Sequence, residues 1–264
     1  MTYLDGIIAW HRRRAAADTR DVAQLRTLAL RARGQAANRR SFTTALQAAP
    51  ALAVIAEVKR RSPSKGDIDV GLDAASVARE YEAGRATCLS VLTDAPHFGG
   101  SADDLRAARE ATTLPVLRKD FTVAERDVLD AAVMGADAVL LIVAALRNDE
   151  LRSLLSTAND LSLDALVEVH DETELDRALA VGARLVGVNQ RDLHTFQVDA
   201  LRAERVAKRI PSGVLAVAES GITGASDAAR CAAAGYRAVL VGEHLVRSGD
   251  RRKALLELQV ALPS

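Results

Sequence analysis

Aromatic residues are scarce in this chain: 3% of 264 residues, with a single tryptophan. So few flat rings argue against a surface that stacks on nucleic-acid bases, and they leave the core to Ala, Val, Leu and Ile. Net charge is missing as well, because 35 Lys and Arg balance 35 Asp and Glu. No whole-chain field steers the protein to nucleic acid or to a membrane. Cysteine is limited to Cys88 and Cys231, each inside an apolar run. Two such thiols make neither a disulfide framework nor a metal motif, which fits a reduced, cytoplasmic protein. Long apolar stretches are absent too. The longest, "AVLLIVAAL" at 138–146, is too short to span a bilayer. The N-terminus carries Arg12–Arg14, but Asp5, Asp18 and Asp21 intrude and no cleavage site follows an apolar core, so an ordinary helix is expected rather than a targeting peptide.

What is present is a hydrophobic share of 49%, enough for a large core, and a rhythm. Short apolar runs recur at 53–59, 87–93, 114–120, 137–143, 165–170, 184–190, 213–220 and 237–243. Each reads as a parallel strand buried on both faces. Helical patterns lie between them. Ser101, Thr122 and Asp171 each precede an acid by three positions, the spacing of a capping box, and are expected to start helices. Gly135 and Gly182 are placed to end two of them in the left-handed conformation.

Eight strand–helix units in about 250 residues predict a closed α/β (β/α)8 TIM barrel. An open doubly wound sheet is the alternative, but no G-x-G-x-x-G turn follows the first strand. About fifty residues precede that strand, with helical patterns near 2–16 and 19–34 and then "SFTTALQ". They are expected to be an N-terminal helical extension packed on the barrel, the whole being one domain.

Active sites in such barrels lie at the carboxyl ends of the strands. Glu57 and Lys59 stand two apart, as do Asn189 and Arg191, so each pair shares one face of its strand. Helices cover the outside of the sheet, so these faces are expected to meet in the mouth, with Lys119, Glu168 and Glu219. Charged groups that close shift one another's proton affinities, as acid–base catalysis requires. Any one of them could merely be solvated. The convergence of five strand ends is what points to a site.

The loops after the last two strands, "ESGITGAS" and "GEHLVRSGD", place Gly221 and Gly242 where backbone N–H groups can approach a phosphate. Of the five histidines, only His170, His194 and His244 fall near strand ends, without ligand spacing, and His170 is expected to point outward. No metal site and no cofactor is expected, and no P-loop, nucleophile elbow or nicotinamide fingerprint is found.

The segments "IAEVKRRSPSKG" 55–66, "LSVLTDAPHFGGS" 89–101, "LPVLRKDF" 114–121, "ALVEVH" 165–170, "GVNQRDL" 187–193, "AESGI" 218–222 and "VGEHL" 241–245 together resemble indole-3-glycerol phosphate synthase of tryptophan biosynthesis. The resemblance implies a cofactor-free lyase that closes a ring on 1-(o-carboxyphenylamino)-1-deoxyribulose 5-phosphate and releases CO2 and water. It implies that Lys119 is the general acid of ring closure. Lys59 and Glu168 are the candidates for dehydration, and Glu57 is the lysines' partner and a base. Asn189 and Glu219 would position these groups. Ser62 and Arg191 would meet the anthranilate carboxylate, Phe98, Phe121 and Leu193 would pack on its ring, and Ser220 would join the substrate-binding set. Lys59, Gly221, Gly242 and the Glu243 N–H would grip the phosphate. Residues 60–66 would be a mobile loop whose cations face the substrate. Gln190 and Glu243 depart from the family's usual residues, and an inward Glu243 carboxylate would oppose phosphate. Beyond the phosphorylated substrate, only loose association with other tryptophan-pathway enzymes is implied. The alternatives are another phosphate-binding barrel, such as phosphoribosylanthranilate isomerase, and a barrel that binds a metabolite without catalysis.

Overall fold

The computed structural model describes residues 3–34, 40–63, 65–192 and 196–263. Eight parallel strands close into a barrel: β1 Ala53–Val58, β2 Cys88–Leu92, β3 Val116–Lys119, β4 Ala138–Ile142, β5 Asp164–Val169, β6 Leu185–Asn189, β7 Leu215–Glu219 and β8 Ala238–Val241. β8 pairs with β1 through Ala53–Ala238 to Ala56–Val241 and shuts the ring. Every residue of β2, β4, β6 and β7 is buried. The inner faces fill the barrel and the outer faces lie under helices, which explains the continuous apolar runs.

Three helices precede the barrel: α1 Tyr3–Ala17, α2 Val22–Gly34 and α3 Phe42–Ala48. Leu4, Ile7 and His11 form the buried stripe of α1, at helical spacing. The α3 helix sits at the amino end of the strands. Its Thr43 N–H donates to Asp164 at the start of β5 (3.0 Å), and fully buried Phe42 and Leu46 close the barrel floor. Burying each of these two side chains contributes about 1.5–3 kcal/mol. The extension thus spans the barrel from mouth to floor.

The helices that follow are α4 Ala74–Ala83, the four-residue α5 Ala95–Phe98, α6 Ala102–Ala111, α7 Glu125–Met134, α8 Asn148–Asp160, α9 Glu172–Ala180, α10 Arg202–Ala207, α11 Ala225–Ala233, α12 Glu243–Arg247 and α13 Arg251–Leu258. Ser101 and Asp171 cap α6 and α9, accepting from the Asp104 and Glu174 N–H groups. Thr122 does not cap α7. That helix starts after Ala124, and Asp127 accepts from the Val123 and Ala124 N–H groups instead. The backbone is still extended at Ala124, so the acid three residues beyond it does the capping. Gly135 and Gly182 take the left-handed conformation, φ 90° and 88°.

Residues 60–66 are less loose than their composition suggests. Arg61–Ser62 and Gly66–Asp67 pair as a small antiparallel hairpin. Arg60 Nη2 donates to Asp104 (2.7 Å) and to the Leu72 carbonyl (2.8 Å), and Arg61 donates to the Ala95 and Pro96 carbonyls. These two cations fasten the loop instead of facing a substrate, contrary to expectation. Guanidinium forks suit carbonyls and carboxylates that a neighbouring loop leaves exposed. Ser64 lies outside the described residues.

Candidate active site

The mouth holds a cavity of about 950 Å³, within the size range of small-molecule sites. Strand register brings its charged groups to one level. Glu57 lies beside Ser90, Lys119 beside Leu92, Glu168 beside Gly187, and Asn189 beside Glu219. Lys119 Nζ sits between two carboxylates, 2.8 Å from Glu168 and 2.7 Å from Glu219. Glu168 also accepts from Asn189 Nδ2 at 3.0 Å, and Asn189 Oδ1 accepts from the Arg191 N–H at 3.0 Å. A second pair, Lys59 and Glu57 at 2.6 Å, stands on β1 and just past its end.

The electrostatics of this network separate two chemically identical side chains. Burial works against the Lys119 ammonium, but Glu168, Glu219 and Glu57 outweigh it and raise its pKa. Burial also opposes the Glu168 carboxylate, yet Lys119 and His170 hold its pKa well below the ordinary range. For Glu219 burial wins. Lys119 offsets it only partly and Glu168 adds to it, so the pKa rises to about 7. One lysine cannot fully compensate two buried carboxylates, so the proton affinity of one of them rises.

Most of the expected residues meet here. Glu57, Lys59, Lys119, Glu168, Asn189, Arg191 and Glu219 line the cavity, as do Ser62, Phe98, Phe121, Ser220, Gly221, Gly242 and Glu243. Leu193 lies outside the described residues. The Glu243 carboxylate reaches along its own helix to Arg247 (3.5 Å). Gln190 is fully buried, and its Nε2 donates to the Ser220 carbonyl at 2.8 Å, holding the turn that follows β7. Ser220 and Gly221 both have positive φ, 65° and 70°.

His170 requires a correction. It stands two residues after Glu168 and so shares its parity, but its ring lies between Glu168 and Glu174 of α9 and does not line the cavity. Its Nε2 is 3.6 Å from Glu168, and Nδ1 is 3.0 Å from Glu174. Burial lowers its proton affinity, but Glu174 and Glu168 more than restore it and the net pKa is raised. Other contributors were hidden in the sequence. Tyr3, Leu4 and Ile7 of α1 supply apolar wall, and Tyr3 meets Phe196 edge-on at 5.3 Å. Gly187 leaves the room that Glu219 occupies, for a Cβ there would lie 2.0 Å from Glu219 Oε1. Gly242 does the same for the Glu57–Lys59 pair, 2.4 Å from Glu57 Oε1. His11 and His97, far apart in sequence, converge on Asp94, a cluster that spacing alone could not reveal.

The family model described as indole-3-glycerol phosphate synthase matches residues 4–258. The chain belongs to this family. It is similar to the indole-3-glycerol phosphate synthase of a Nocardioides species, with 55% identity over 202 residues, 76% of this chain and 78% of that one. The corresponding synthase of a Parafrankia species is 52% identical over 213 residues, 81% of this chain and 80% of the other. A thiamine phosphate pyrophosphorylase from Pyrococcus furiosus shares the fold alone, with a TM-score of 0.58 at 18% identity, covering 79% of this chain and 94% of that one. Indole-3-glycerol phosphate synthases are decarboxylating lyases of tryptophan biosynthesis.

Proposed function

We propose that the mouth converts 1-(o-carboxyphenylamino)-1-deoxyribulose 5-phosphate into indole-3-glycerol phosphate, with the following division of labour. Lys119 is the general acid. Its ammonium, held between Glu168 and Glu219 at 2.8 and 2.7 Å, is the observation that carries the reading. As the aromatic carbon attacks the substrate carbonyl, that ammonium protonates the developing alkoxide. Glu219, with a pKa near 7, can then return a proton to Lys119.

Loss of CO2 leaves the ring hydroxyl to depart as water. Glu168 is held ionised by Lys119, which favours Lys59 over Glu168 as the acid of dehydration. Glu57, 2.6 Å from Lys59, is its partner and the base that restores aromaticity. Asn189 fixes Glu168 and presents the Arg191 backbone. Phe98 and Phe121, with ring centroids 6.4 Å apart, form the aromatic side of the cavity, and Leu193 belongs with them by resemblance. Ser62, Arg191 and Ser220 serve the anthranilate carboxylate and its surroundings. Lys59 and the backbone at Gly221, Gly242 and Glu243 serve the phosphate.

The same reading treats residues 1–50 and the barrel as one domain, because Leu4, Ile7, Phe42 and Leu46 share the core cluster of the strands. It places the protein in the cytoplasm, where the free thiols Cys88 and Cys231 stay reduced, with at most loose association with other pathway enzymes. Closure over the substrate is assigned to the part of the first loop around Pro63 and Lys65, which line the cavity, since Arg60 and Arg61 are anchored. The test is fluorescence-detected formation of indole-3-glycerol phosphate from the named substrate, without added metal or cofactor. Turnover by the wild type that is nearly abolished in Lys119→Ala is the expected result. A folded wild type that binds the substrate without converting it would overturn the reading.

A further inference from the structure

Beside the mouth, His11 of α1 meets two residues of the turn after β2. His11 Nε2 lies 3.3 Å from Asp94 Oδ2, and His97 Nδ1 lies 2.9 Å from the same oxygen. One ligand atom from each of the three side chains falls within 4.8 Å of the others. We propose that His11, Asp94 and His97 form a binding site for a divalent transition-metal ion of the zinc type, with water in the fourth position.

The donor set fits. Two imidazoles and one carboxylate, with a position left open, are a recurrent zinc environment. Tetrahedral bonds of about 2.0–2.1 Å put neighbouring donors roughly 3.3 Å apart. His11 and Asp94 already stand at that separation. The two Asp94 oxygens are also divided in their duties. Oδ1 accepts from the His97 backbone N–H at 3.1 Å, capping α5, and also stands 3.1 Å from His97 Nδ1, while only Oδ2 faces both rings.

The second observation concerns the other side of His11. Asp94 engages the ring through Nε2, which leaves Nδ1 to find another partner. That Nδ1 is buried, has no hydrogen-bond partner, and faces the Asp120 carboxylate at 4.0 Å. With a metal on Nε2, Nδ1 carries the ring hydrogen and Asp120 is the carboxylate that orients the metal-bound imidazole. Asp120 is held in place by Arg118 Nη2 at 2.8 Å and Thr93 Oγ1 at 2.6 Å. None of these four residues has a part in the acid–base steps above. Occupancy would clamp α1, which carries the apolar wall residues Leu4 and Ile7, to the turn that carries Phe98.

The full chain, stripped with a chelator, is titrated with Co2+ and then Zn2+ alone. One equivalent of Co2+ with a tetrahedral visible spectrum, displaced by Zn2+, is expected. Trp10 reports the same event by its emission, since its ring centroid is 4.8 Å from that of His11 and 5.7 Å from that of His97. His11→Gln and His97→Gln should each abolish the spectrum, and Asp120→Asn should weaken binding about 10–100-fold. If His11→Gln fails to fold, His97→Gln at the less buried corner decides. No stoichiometric tetrahedral spectrum, or one that survives His97→Gln, overturns the proposal. The first outcome reduces the cluster to hydrogen bonds. The second moves the ion to other histidines.

Discussion

Arg118 and Lys119 are chain neighbours, both basic, both beside acids, yet they serve opposite purposes. Arg118 points out of the barrel, and its guanidinium is fully engaged. Nε donates to Thr93 Oγ1 (3.1 Å), Nη1 to the Asp127 carbonyl (2.6 Å) and Nη2 to Asp120 (2.8 Å). Lys119 points in and touches only two carboxylates that it cannot both neutralise. The outward group is satisfied and fixes the strand end to α7. The inward group is left with proton affinities in tension, which is the state a catalyst needs. The alternation of side chains along a strand turns one charged run into a structural half and a chemical half.

The largest expected effect separates them directly. Lys119→Met should lower kcat by about 10²–10⁴-fold, the usual worth of a positioned general acid, with only a modest shift in the urea midpoint. The two carboxylates it leaves can share a proton, because burial already raises the proton affinity of Glu219. Arg118→Met should do the reverse. Removing one partner of a buried pair costs about 3–5 kcal/mol, read by urea unfolding, while kcat per folded molecule stays close to wild type. If Arg118→Met loses turnover as completely as Lys119→Met, the division between the two halves is wrong.

A third effect is in pH. Glu219 has a native pKa raised from 4.5 to about 7, so the native state keeps a proton that the unfolded chain releases earlier. Its contribution to stability is full below about pH 4.5 and is lost as pH rises through about 7. Between about pH 5 and pH 8 this amounts to some 2–3 kcal/mol. Glu219→Gln should flatten that slope in urea titrations at the two pH values. An unchanged slope would mean that Glu219 is ionised throughout. Gly187→Ala is a smaller probe of the same carboxylate. The methyl would fall on Glu219 Oε1, and displacing it should cost about 1–3 kcal/mol and reduce kcat more than substrate affinity. Smallest is Ser101→Ala, which removes a helix cap and the hydroxyl's 2.8 Å donation to Asp104, and should cost about 1 kcal/mol with no change in turnover.

The eight strands could be read in advance because parallel strands buried on both faces spell continuous apolar runs, and β1 to β8 lie within those runs except that β5 starts one residue earlier, at Asp164. Glu57, Lys59, Asn189 and Arg191 were legible as mouth residues from parity alone. Parity could equally have set His170, two residues after Glu168, beside that carboxylate, yet it was expected to face outward. The start of α7 was misplaced by two residues because Thr122 and Asp127 both offer capping chemistry, and only the path of the backbone out of β3 selects Asp127.

By itself, then, the order of residues determined which side chains stand at strand ends and which face each one takes, since both follow from a local period of two. Tertiary structure decided the rest. Only barrel closure sets Lys119 between Glu168, 49 positions away, and Glu219, 100 positions away, and makes Gly187 a necessity. Only the packing of α1 across the mouth brings His11 to Asp94, 83 positions on. Such meetings depend on strand register and on how helices settle against a curved sheet, and these are set by the whole core at once rather than by any segment of it.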